Sequence, residues 1–528
     1  MNNVASLPAA GETVAVNPSK RTQMDTVPNT PLEQVPAIFE QARKAQAVWA
    51  SKSFSEREKH VRKMRDYIRD NADELARIVS DGNGKTRFDA LATEVLPCML
   101  ACSWYGKNAA RVLKTETREP SSLLWIGKRT EIRHEPLGVV GIISPWNYPL
   151  SIPFGEIVMG LMAGNAVLLK VAAATPLVGQ AIERIVAAGD LPDGLFHHIV
   201  GSGGQVSTAM FENGVDKLFF TGSVPAGKKL MAQAAETLTP VSLELGGKDP
   251  MIVLEDADIE RAVNGAAWAG YQNAGQSCGG VERVYVHESI YQQFVDRMAE
   301  KTRQLRHGAP DDQCGVDLGS MTTAKQREAV ARHLEDAIAN GAKIVAQSQP
   351  VGDQDGEFHP ATLLTDVHHD MTFMREETFG PLVPIMPFKT EDEAVALAND
   401  CTMALTASIW TRNIRRGRQL AERVKGGVVA INDHLYTHGM SDLPWGGPEE
   451  SGIGRTHGPE GLMEMTKPKA VNWDWLRAKR NLWWYPQDRE SYNAIRNAMH
   501  MVAPRSPGDF LRSAGKVVPA MVKKMYLQ

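Results

Sequence analysis

The spacing of apolar positions predicts helices in the first part of the chain. Apolar residues from Val61 to Leu75 recur at helical spacing. Ser55 and Glu58 precede them with the S-x-x-E spacing of a capping box, which starts helices. Residues 1–30 instead mix Ser, Thr, Pro and Asn and contain no apolar core. We expect these residues to form a loose arm and not a signal peptide.

From residue 137 the pattern changes to short apolar strands that alternate with helices. A second series of the same kind runs from about residue 256 to 445. Strands that alternate with helices of about 10 to 15 residues are typical of parallel, doubly wound sheets. Two short runs around Gly127 and Lys128 predict a hairpin over residues 121–136. The strand runs of the first series are LGVVGIIS, NAVLLKV, FHHIVG, KLFFTGS, VSLELGG and PMIVLE.

One uncharged stretch, from Leu137 to Gly155, has about the length of a membrane-spanning helix. Pro145, Pro149 and Pro153 would break such a helix. We therefore interpret the stretch as a buried strand followed by an irregular loop.

The composition is that of an ordinary soluble globular protein, with 43% apolar and 23% charged residues. The 528 residues suffice for three or four domains at about 150 residues each. A net charge of −4 does not favour a nucleic-acid binder, so no nucleic-acid partner is expected.

The cysteine content indicates a reducing compartment, so we expect a cytoplasmic protein. Five cysteines in a long chain form an odd, sparse set that does not suggest a disulfide framework. Cys98 and Cys102 are four residues apart in a predicted helix, without a His or Cys partner at ligand spacing, so no metal site is predicted. The other cysteines are Cys278, Cys314 and Cys401.

The first series offers one candidate nucleotide site. The dinucleotide fingerprint G-x-G-x-x-G fails, because Gly201 and Gly203 are followed by Val206 at the third glycine position. In the FFTGS turn, Gly222 allows a tight turn and Ser223 can cap the next helix, whose N-terminus would face phosphate. A plain strand–turn–helix is the alternative.

Three polar residues in glycine-rich or uncharged segments are candidates for chemistry. Cys278 in NAGQSCGG suits a thiolate nucleophile with backbone donors beside it; the alternative is a small buried thiol. Glu244 in LELGGK suits a general base, because apolar surroundings raise a carboxyl pKa; the alternative is an ion pair with Lys248. Asn147 in SPWNYP could donate to an oxyanion or satisfy its own turn.

Seven segments in this order resemble the aldehyde dehydrogenase superfamily, over roughly residues 30 to 475. The stretch SLELGGKDPMIVLEDADIERAV looks closest to the succinate-semialdehyde branch. The segments are SPWNYP, NAVLLK, FTGS, LELGGK, NAGQSC, EETFGP and PWGGPEESGIGR.

The resemblance implies an α/β fold with two doubly wound, Rossmann-like αβα domains and a small β hairpin for oligomerisation. It implies a homodimer or a homotetramer. The expected parts are the arm at 1–30, an NAD(P)-binding domain at 31–120 and 137–246, a catalytic domain at 247–460, an oligomerisation element at 121–136 and 461–475, and an extension at 476–528.

The resemblance also implies NAD(P)-dependent oxidation of a small-molecule aldehyde to an acid. Cys278 matches the family nucleophile, Asn147 the oxyanion donor, and Glu244 the base that activates water for thioester hydrolysis. The substrate expected is an aliphatic aldehyde or a semialdehyde. Alternatives are a CoA-acylating dehydrogenase and a non-catalytic binding protein. The residues matched to cofactor binding are Ser144, Trp146, Lys170, Ala173, Gly222, Ser223, Glu377 and Phe379.

Two positions depart from the family pattern. Ala173 stands where the family often has a glutamate that bonds the adenosine 2′-hydroxyl, so no carboxylate would repel a 2′-phosphate and Lys170 could meet it. We therefore expect NADP to be at least tolerated beside NAD. Glu449 and Glu450 stand where the family frequently carries lysine, which could alter the mouth of the site.

The extension at 476–528 has ten Lys and Arg against three Asp and Glu, a net charge of +7. Basic residues interleave there with aromatic ones, and apolar residues follow at helical spacing, interrupted by Pro519. A basic amphipathic helix can lie on an anionic membrane, which would make the protein membrane-peripheral. Packing against a neighbouring subunit is the favoured alternative. The apolar face comprises Phe510, Leu511, Ala514, Val517, Met521, Val522 and Met525.

Overall fold

The alternating series fold into two parallel sheets within one packing unit. The computed structural model describes residues 11–527. The first unit comprises residues 11–112 and 136–467, and the second comprises residues 113–135 and 468–527. The strands, in chain order, are β1 Glu12–Asn17, β2 Thr22–Pro28, β3 Glu116–Arg118, β4 Lys128–Pro136, β5 Val139–Ile143, β6 Ala166–Lys170, β7 Phe196–His198, β8 Lys217–Thr221, β9 Val241–Glu244, β10 Asp249–Val253, β11 Val281–His287, β12 Arg306–Gly308, β13 Lys343–Gln347, β14 Gln349–Val351, β15 Thr362–Thr365, β16 Leu382–Phe388, β17 Thr406–Trp410, β18 Val428–Ile431, β19 Gly452–Ile453 and β20 Thr466–Asp474.

The helices follow the same order and include those predicted from the alternation. They are α1 Val35–Ala50, α2 Phe54–Asp70, α3 Ala72–Asn83, α4 Arg87–Ala90, α5 Leu96–Val112, α6 Ser151–Ala163, α7 Pro176–Ala188, α8 Gly203–Glu212, α9 Val224–Thr237, α10 Ile259–Tyr271, α11 Glu288–Gln304, α12 Ala324–Ala339, α13 Thr372–Arg375, α14 Glu391–Asn399, α15 Ile414–Ala421, α16 Gly458–Glu464, α17 Arg489–Val502 and α18 Pro507–Val522.

The first sheet has the strand order β19-β9-β8-β5-β6-β7. Its neighbours run parallel except β19 and β9. The central strands are buried on both faces, which explains their continuous apolar runs. From β5 the chain continues to β6 on one side and later returns to β8 on the other. The carboxyl ends of β5 and β8 therefore border the crevice where doubly wound sheets bind ligands.

The second sheet has the order β13-β15-β16-β11-β10-β17-β18 and is parallel except at β13 and β15. Its central strands bury Met251, Val284 and Ile385 in one core with Phe294 of α11. Both sheets are flanked by helices. The predicted doubly wound α/β class is confirmed.

Two expectations for the first 60 residues are wrong. β1 and β2 pair antiparallel over residues 12–28, where a loose arm was expected; residues 1–10 lie outside the described residues. Each strand buries one apolar residue, Ala15 in β1 and Val27 in β2. The capping box uses Ser53 and Glu56, two residues before the predicted pair, because SFSEREK contains the S-x-x-E spacing twice.

In the second unit, β20, β4 and β3 form a sheet in that order. β3 pairs antiparallel with β4, but the first strand lies at Glu116–Arg118, before the predicted range of 121–136. Gly127 lies in a turn as predicted, whereas Lys128 already begins β4. Gly127 also allows close packing, because a Cβ there would lie 2.9 Å from Asp474 Oδ1.

The extension forms α17 and α18, which share a small core of Ala498, Met501 and Val517. The predicted single apolar face of α18 is divided. Val517 is buried in this core, whereas Leu511 and Val522 lie on the neighbouring stripe and are exposed. Among residues 11–527, no helix is long and apolar enough to cross a membrane.

Candidate active site

A cavity of about 350 Å³ lies where the carboxyl ends of the first sheet face the amino ends of strands in the second. Loops after β5, β8 and β9 form one wall, and the loop before β16 contributes Glu377 and Phe379. This is the crevice that the strand order predicts for a nucleotide. Of the predicted site residues, Trp146, Asn147, Gly222, Ser223, Cys278, Glu377 and Phe379 line it.

Ser144, Lys170, Ala173 and Glu244 lie outside this lining. Ser144 is buried, and its N–H donates to the Lys170 carbonyl, 3.0 Å away, which ties the ends of β5 and β6 together. Lys170 is buried, and burial lowers its pKa. Gly203, at the start of α8, is close to this lysine, because a Cβ there would lie 3.8 Å from Lys170 Nζ. Ala173 is exposed.

The N-terminus of α9 points its free backbone donors at the cavity. Ser223 is the N-cap residue by position, but its side chain makes no capping hydrogen bond, contrary to the expectation. The first-turn N–H groups and the positive dipole end of α9 are therefore left for a phosphate.

Glu377 and Phe379 sit on a loop fixed by a buried ion pair that the sequence did not indicate. The carboxylate of Glu282 accepts the backbone N–H groups of Thr378 and Phe379 and pairs with Lys248 at 2.5 Å. Glu377 Oε1 accepts the Gly247 N–H at 3.1 Å, and burial, with the nearby Glu282 charge, raises the Glu377 pKa to about 8.

Cys278 ends a strained loop in the second sheet. Three residues in a row, Asn273, Ala274 and Gly275, have positive φ, of 53°, 54° and 69°. At Gly275 this conformation is combined with close packing, because a Cβ would lie 2.3 Å from the Gly380 carbonyl carbon. Such strain persists only when the surroundings enforce it, and it is concentrated at functional sites.

Among residues 11–527, the half-buried Cys278 is the only residue that lines both this cavity and a second one, of about 190 Å³. Burial, with the negative charges of Glu377, Asp249 and Glu244, raises the pKa of the Cys278 thiol. The raised pKa favours the thiol form in the absence of cofactor, whereas the sequence context suggests a thiolate. The second cavity is also lined by Ala92, Thr93, Pro97, Tyr148, Trp268, Gln272, Ser277, Leu435, Tyr436, His438, Gly439 and Trp445.

Glu244, at the end of β9, is buried without an ion-pair partner among the described residues. Neither of its oxygens accepts a hydrogen bond, and Lys248 pairs with Glu282 instead, so the ion-pair alternative is wrong. Burial, with the nearby Glu156, raises the Glu244 pKa well above its usual value. Gly446 leaves room for the carboxylate: a Cβ there would lie 2.6 Å from Glu244 Oε1.

Asn147 is held against the Cys278 loop. Its Nδ2 donates to the Gln276 carbonyl at 3.2 Å, and its own backbone carbonyl accepts from Lys85 Nζ at 2.8 Å and from Asn273 Nδ2 at 3.0 Å. Its Oδ1 has no hydrogen-bond partner, and its Nδ2 bonds a residue of another loop. The side-chain amide therefore does not satisfy the backbone of its own turn. Asn147 therefore reaches the loop that carries the thiol.

The lysine behind Asn147 belongs to a buried ion pair that sequence reasoning missed. Lys85 Nζ lies 2.6 Å from Glu94 Oε1, and both side chains are fully buried. Glu94 Oε2 accepts the backbone N–H groups of Leu150 and Ser151, at 3.0 and 2.8 Å. The pair thus fixes both ends of the Asn147 loop.

The matched family model covers residues 8–471 and is described as the aldehyde dehydrogenase family. The chain belongs to this family. As an aldehyde dehydrogenase it is an NAD(P)-dependent aldehyde oxidoreductase, which confirms the resemblance seen in the seven segments.

Relatives and solved structures of aldehyde dehydrogenases match most of the chain. A 4,4'-diapolycopene aldehyde oxidase of Methylomonas sp is 39% identical, over 88% of this chain and 87% of its own. A putative NADP(+) succinate-semialdehyde dehydrogenase of Mycobacterium ulcerans is 37% identical, over 85% and 86%. The NAD+ complex of a Bacillus cereus aldehyde dehydrogenase has a TM-score of 0.83 and 33% identity, over 88% and 93%.

The residues of this aldehyde dehydrogenase fit a dinucleotide. The α9 N-terminus offers unpaired donors to a diphosphate, and Lys170 lies near the start of α8 without an ion-pair partner among the described residues. Glu377 presents a carboxylate to a ribose hydroxyl at the cavity wall. Among residues 11–527, no three His, Cys, Asp or Glu side chains are grouped to hold a metal ion.

Proposed function

We propose that Cys278, Asn147 and Glu244 oxidise an aldehyde to a carboxylic acid through a thioester. The observation that carries this proposal is the position of Cys278 as the single residue common to two cavities. One cavity has the residues of a dinucleotide site, and the other is a narrow apolar pocket. A group at this junction can hold a carbonyl carbon between the two ligands.

Cys278 Sγ attacks the aldehyde carbon, and the carbonyl oxygen becomes the oxyanion of a thiohemiacetal. Asn147 Nδ2 and the Cys278 backbone N–H donate to that oxygen, which requires the amide to exchange its long bond to the Gln276 carbonyl for the substrate. NAD(P), when bound, would accept the hydride that leaves the thiohemiacetal carbon, and its positive nicotinamide would favour ionisation of the thiol. Loss of this hydride converts the thiohemiacetal on Cys278 into the thioester.

Glu244 removes a proton from the water that hydrolyses the thioester. A buried carboxylate without an ion-pair partner among the described residues is a strong base once it ionises, because burial raises its pKa more than the nearby Arg455 lowers it. Hydrolysis returns the Cys278 thiol and releases the carboxylate product.

For the cofactor we propose contacts from Ser144, Trp146, Lys170, Gly222, Ser223, Glu377 and Phe379, and tolerance of NADP. An exposed Ala173 leaves no carboxylate to repel a 2′-phosphate. Trp146 and Phe379 meet edge to face, 5.4 Å between ring centroids, and shape the wall on which the cofactor would rest.

The test is NADPH absorbance with a panel of aldehydes, with and without CoA. Cys278→Ser should abolish turnover. Glu244→Gln should give at most one NADPH per site, because the thioester forms but water is not activated. Steady turnover of Glu244→Gln, or turnover of the wild type only with CoA, would refute this assignment.

We further propose a cytoplasmic homodimer or homotetramer in which residues 121–136 and 461–475 bridge subunits and the extension packs on a neighbour. One face of α17 carries Tyr492, Met499 and Val502 in exposed positions. Met499→Asp should reduce the oligomer in size-exclusion chromatography if this face meets a subunit. Loss of co-sedimentation with anionic vesicles in the same variant would support the membrane alternative.

Glu449 and Glu450, the departures from the family pattern, do not line either cavity. They form exposed ion pairs with Lys425 and Lys228. We therefore propose no role for them in substrate choice.

A further inference from the structure

The second cavity, which ends at Cys278, has an uncharged wall. None of its lining residues within the described chain is Lys, Arg, Asp or Glu. The one histidine among these lining residues, His438, packs edge to face against Trp445 at 4.9 Å, and burial lowers the His438 pKa to about 3. A substrate carboxylate would lose its hydration there without meeting a cation, and burial of an unpaired charge is strongly unfavourable.

The cavity opens onto an exposed apolar surface. Two of its lining aromatics, Trp268 and Tyr436, are themselves 41% and 44% exposed. Two leucines close to the lining residue Pro97 in sequence, Leu96 and Leu100, are exposed by 49% and 46%; we name these two leucines the apolar strip.

Helix geometry makes the apolar strip continuous with the cavity wall. Leu96 follows the lining residues Ala92 and Thr93 by four and three positions, and Leu100 follows Pro97 by three. Residues three and four apart are surface neighbours on a helix, so Leu96 and Leu100 extend the lining outward.

The volume limits what fits inside. About 190 Å³ corresponds to roughly six groups of the size of a water molecule, at about 30 Å³ each. An aldehyde with a longer chain must leave the cavity with its distal carbons, and the apolar strip is the surface that those carbons meet.

We propose that this site selects aldehydes with an unbranched apolar chain of roughly eight or more carbons, whose distal part lies on the apolar strip. The proposal rests on the proposed function and names its substrate class. It assigns Leu96 and Leu100 to specificity. It also excludes semialdehydes as good substrates, because their carboxylate would face the uncharged wall.

The experiment measures kcat/KM of the full-length protein with NADP for butanal, hexanal, octanal, decanal, dodecanal and succinate semialdehyde. We expect kcat/KM to rise by up to about fourfold per methylene, the factor for burying one CH₂. Succinate semialdehyde should be poorer than butanal.

The variants test the apolar strip itself. Leu96→Ser/Leu100→Ser should lower the ratio of kcat/KM for dodecanal to that for butanal by about tenfold, the loss expected when nearly two methylenes of the bound chain are no longer buried. Val48→Ser is the matched control, an exposed apolar residue on α1 outside both cavities, and should leave the ratio unchanged.

The outcomes separate the two proposals. A flat chain-length profile, a preference for succinate semialdehyde, or an unchanged ratio in the double variant overturns the apolar-chain assignment while aldehyde oxidation stands. A smaller oligomer in the double variant with no change in the ratio also overturns it, since the strip would then be a subunit contact. If no aldehyde is oxidised, the proposed function itself fails.

Discussion

The buried pair of Lys85 and Glu94 gives the sharpest prediction, because it supports Asn147 without touching either cavity. In Glu94→Gln the side chain keeps its shape but loses its charge. In the wild type, Glu94 Oε1 accepts a hydrogen bond from the Lys85 ammonium, and Oε2 accepts the backbone N–H groups of Leu150 and Ser151. An amide has a single acceptor oxygen, so either the ammonium or the two N–H groups lose their partner.

The magnitude follows from burial. Breaking a fully buried ion pair by removing one partner destabilises a protein by about 3–5 kcal/mol. At roughly 2.1 cal/mol/K per residue, the entropy of unfolding of 528 residues is about 1.1 kcal/mol/K. A loss of about 4 kcal/mol therefore lowers the midpoint of thermal unfolding by about 4 °C.

The assay compares Glu94→Gln with Glu58→Gln at one scan rate. Glu58 pairs with Arg62 on the surface of α2, and loss of such a pair changes the free energy of unfolding by less than about 1 kcal/mol. Glu94→Gln should also lower kcat more than it raises KM, because a mobile Asn147 loop weakens oxyanion stabilisation rather than substrate binding. If both variants unfold within 1 °C of the wild type, or if Glu94→Gln retains full kcat, the pair does not support the site.

Three further substitutions test separate features. Burial raises the Glu156 pKa to about 8, whereas the same carboxyl ionises near pH 4.5 in the unfolded chain, so the folded protein loses stability as pH rises from about 5 to 8. The thermal midpoint of the wild type should therefore fall over that range more than that of Glu156→Gln, and parallel curves would contradict this. Ala173→Glu should lower kcat/KM with NADP at least tenfold more than with NAD, since a carboxylate repels the 2′-phosphate, and equal losses would rule out that position. Gly275→Ala should lower kcat by more than about tenfold, because its methyl would collide with the backbone at Gly380 and displace Cys278; normal activity would mean that the loop can relax.

The parts that the sequence predicted correctly are those specified by local pattern. Continuous apolar runs such as KLFFT form central strands because both faces of a parallel sheet are buried. Pro176 and Gly164 mark a helix start and a helix end, as their backbone preferences require. The order of the segments was enough to identify the family.

The errors arose where several residues compete for one role or where distant groups meet. Two overlapping S-x-x-E patterns left the start of α2 ambiguous, and only packing selected Ser53. The Lys85–Glu94 pair and the carboxylate of Glu282 could not be predicted, because their partners lie in other segments of the fold. The hairpin prediction was wrong in the position of its first strand, which is β3 at Glu116–Arg118 and not the run after Ser121.

The junction at Cys278 has a consequence for inhibition and for the order of events. The two cavities share Cys278, and each has its own opening to solvent. In the proposed reaction the dinucleotide would enter through one opening and the aldehyde through the other. The carboxylic acid product would then be able to dissociate while the dinucleotide remains bound, so the two release steps need no fixed order. An apolar electrophile that enters the smaller cavity would react with the Cys278 sulfur without displacing the bound dinucleotide.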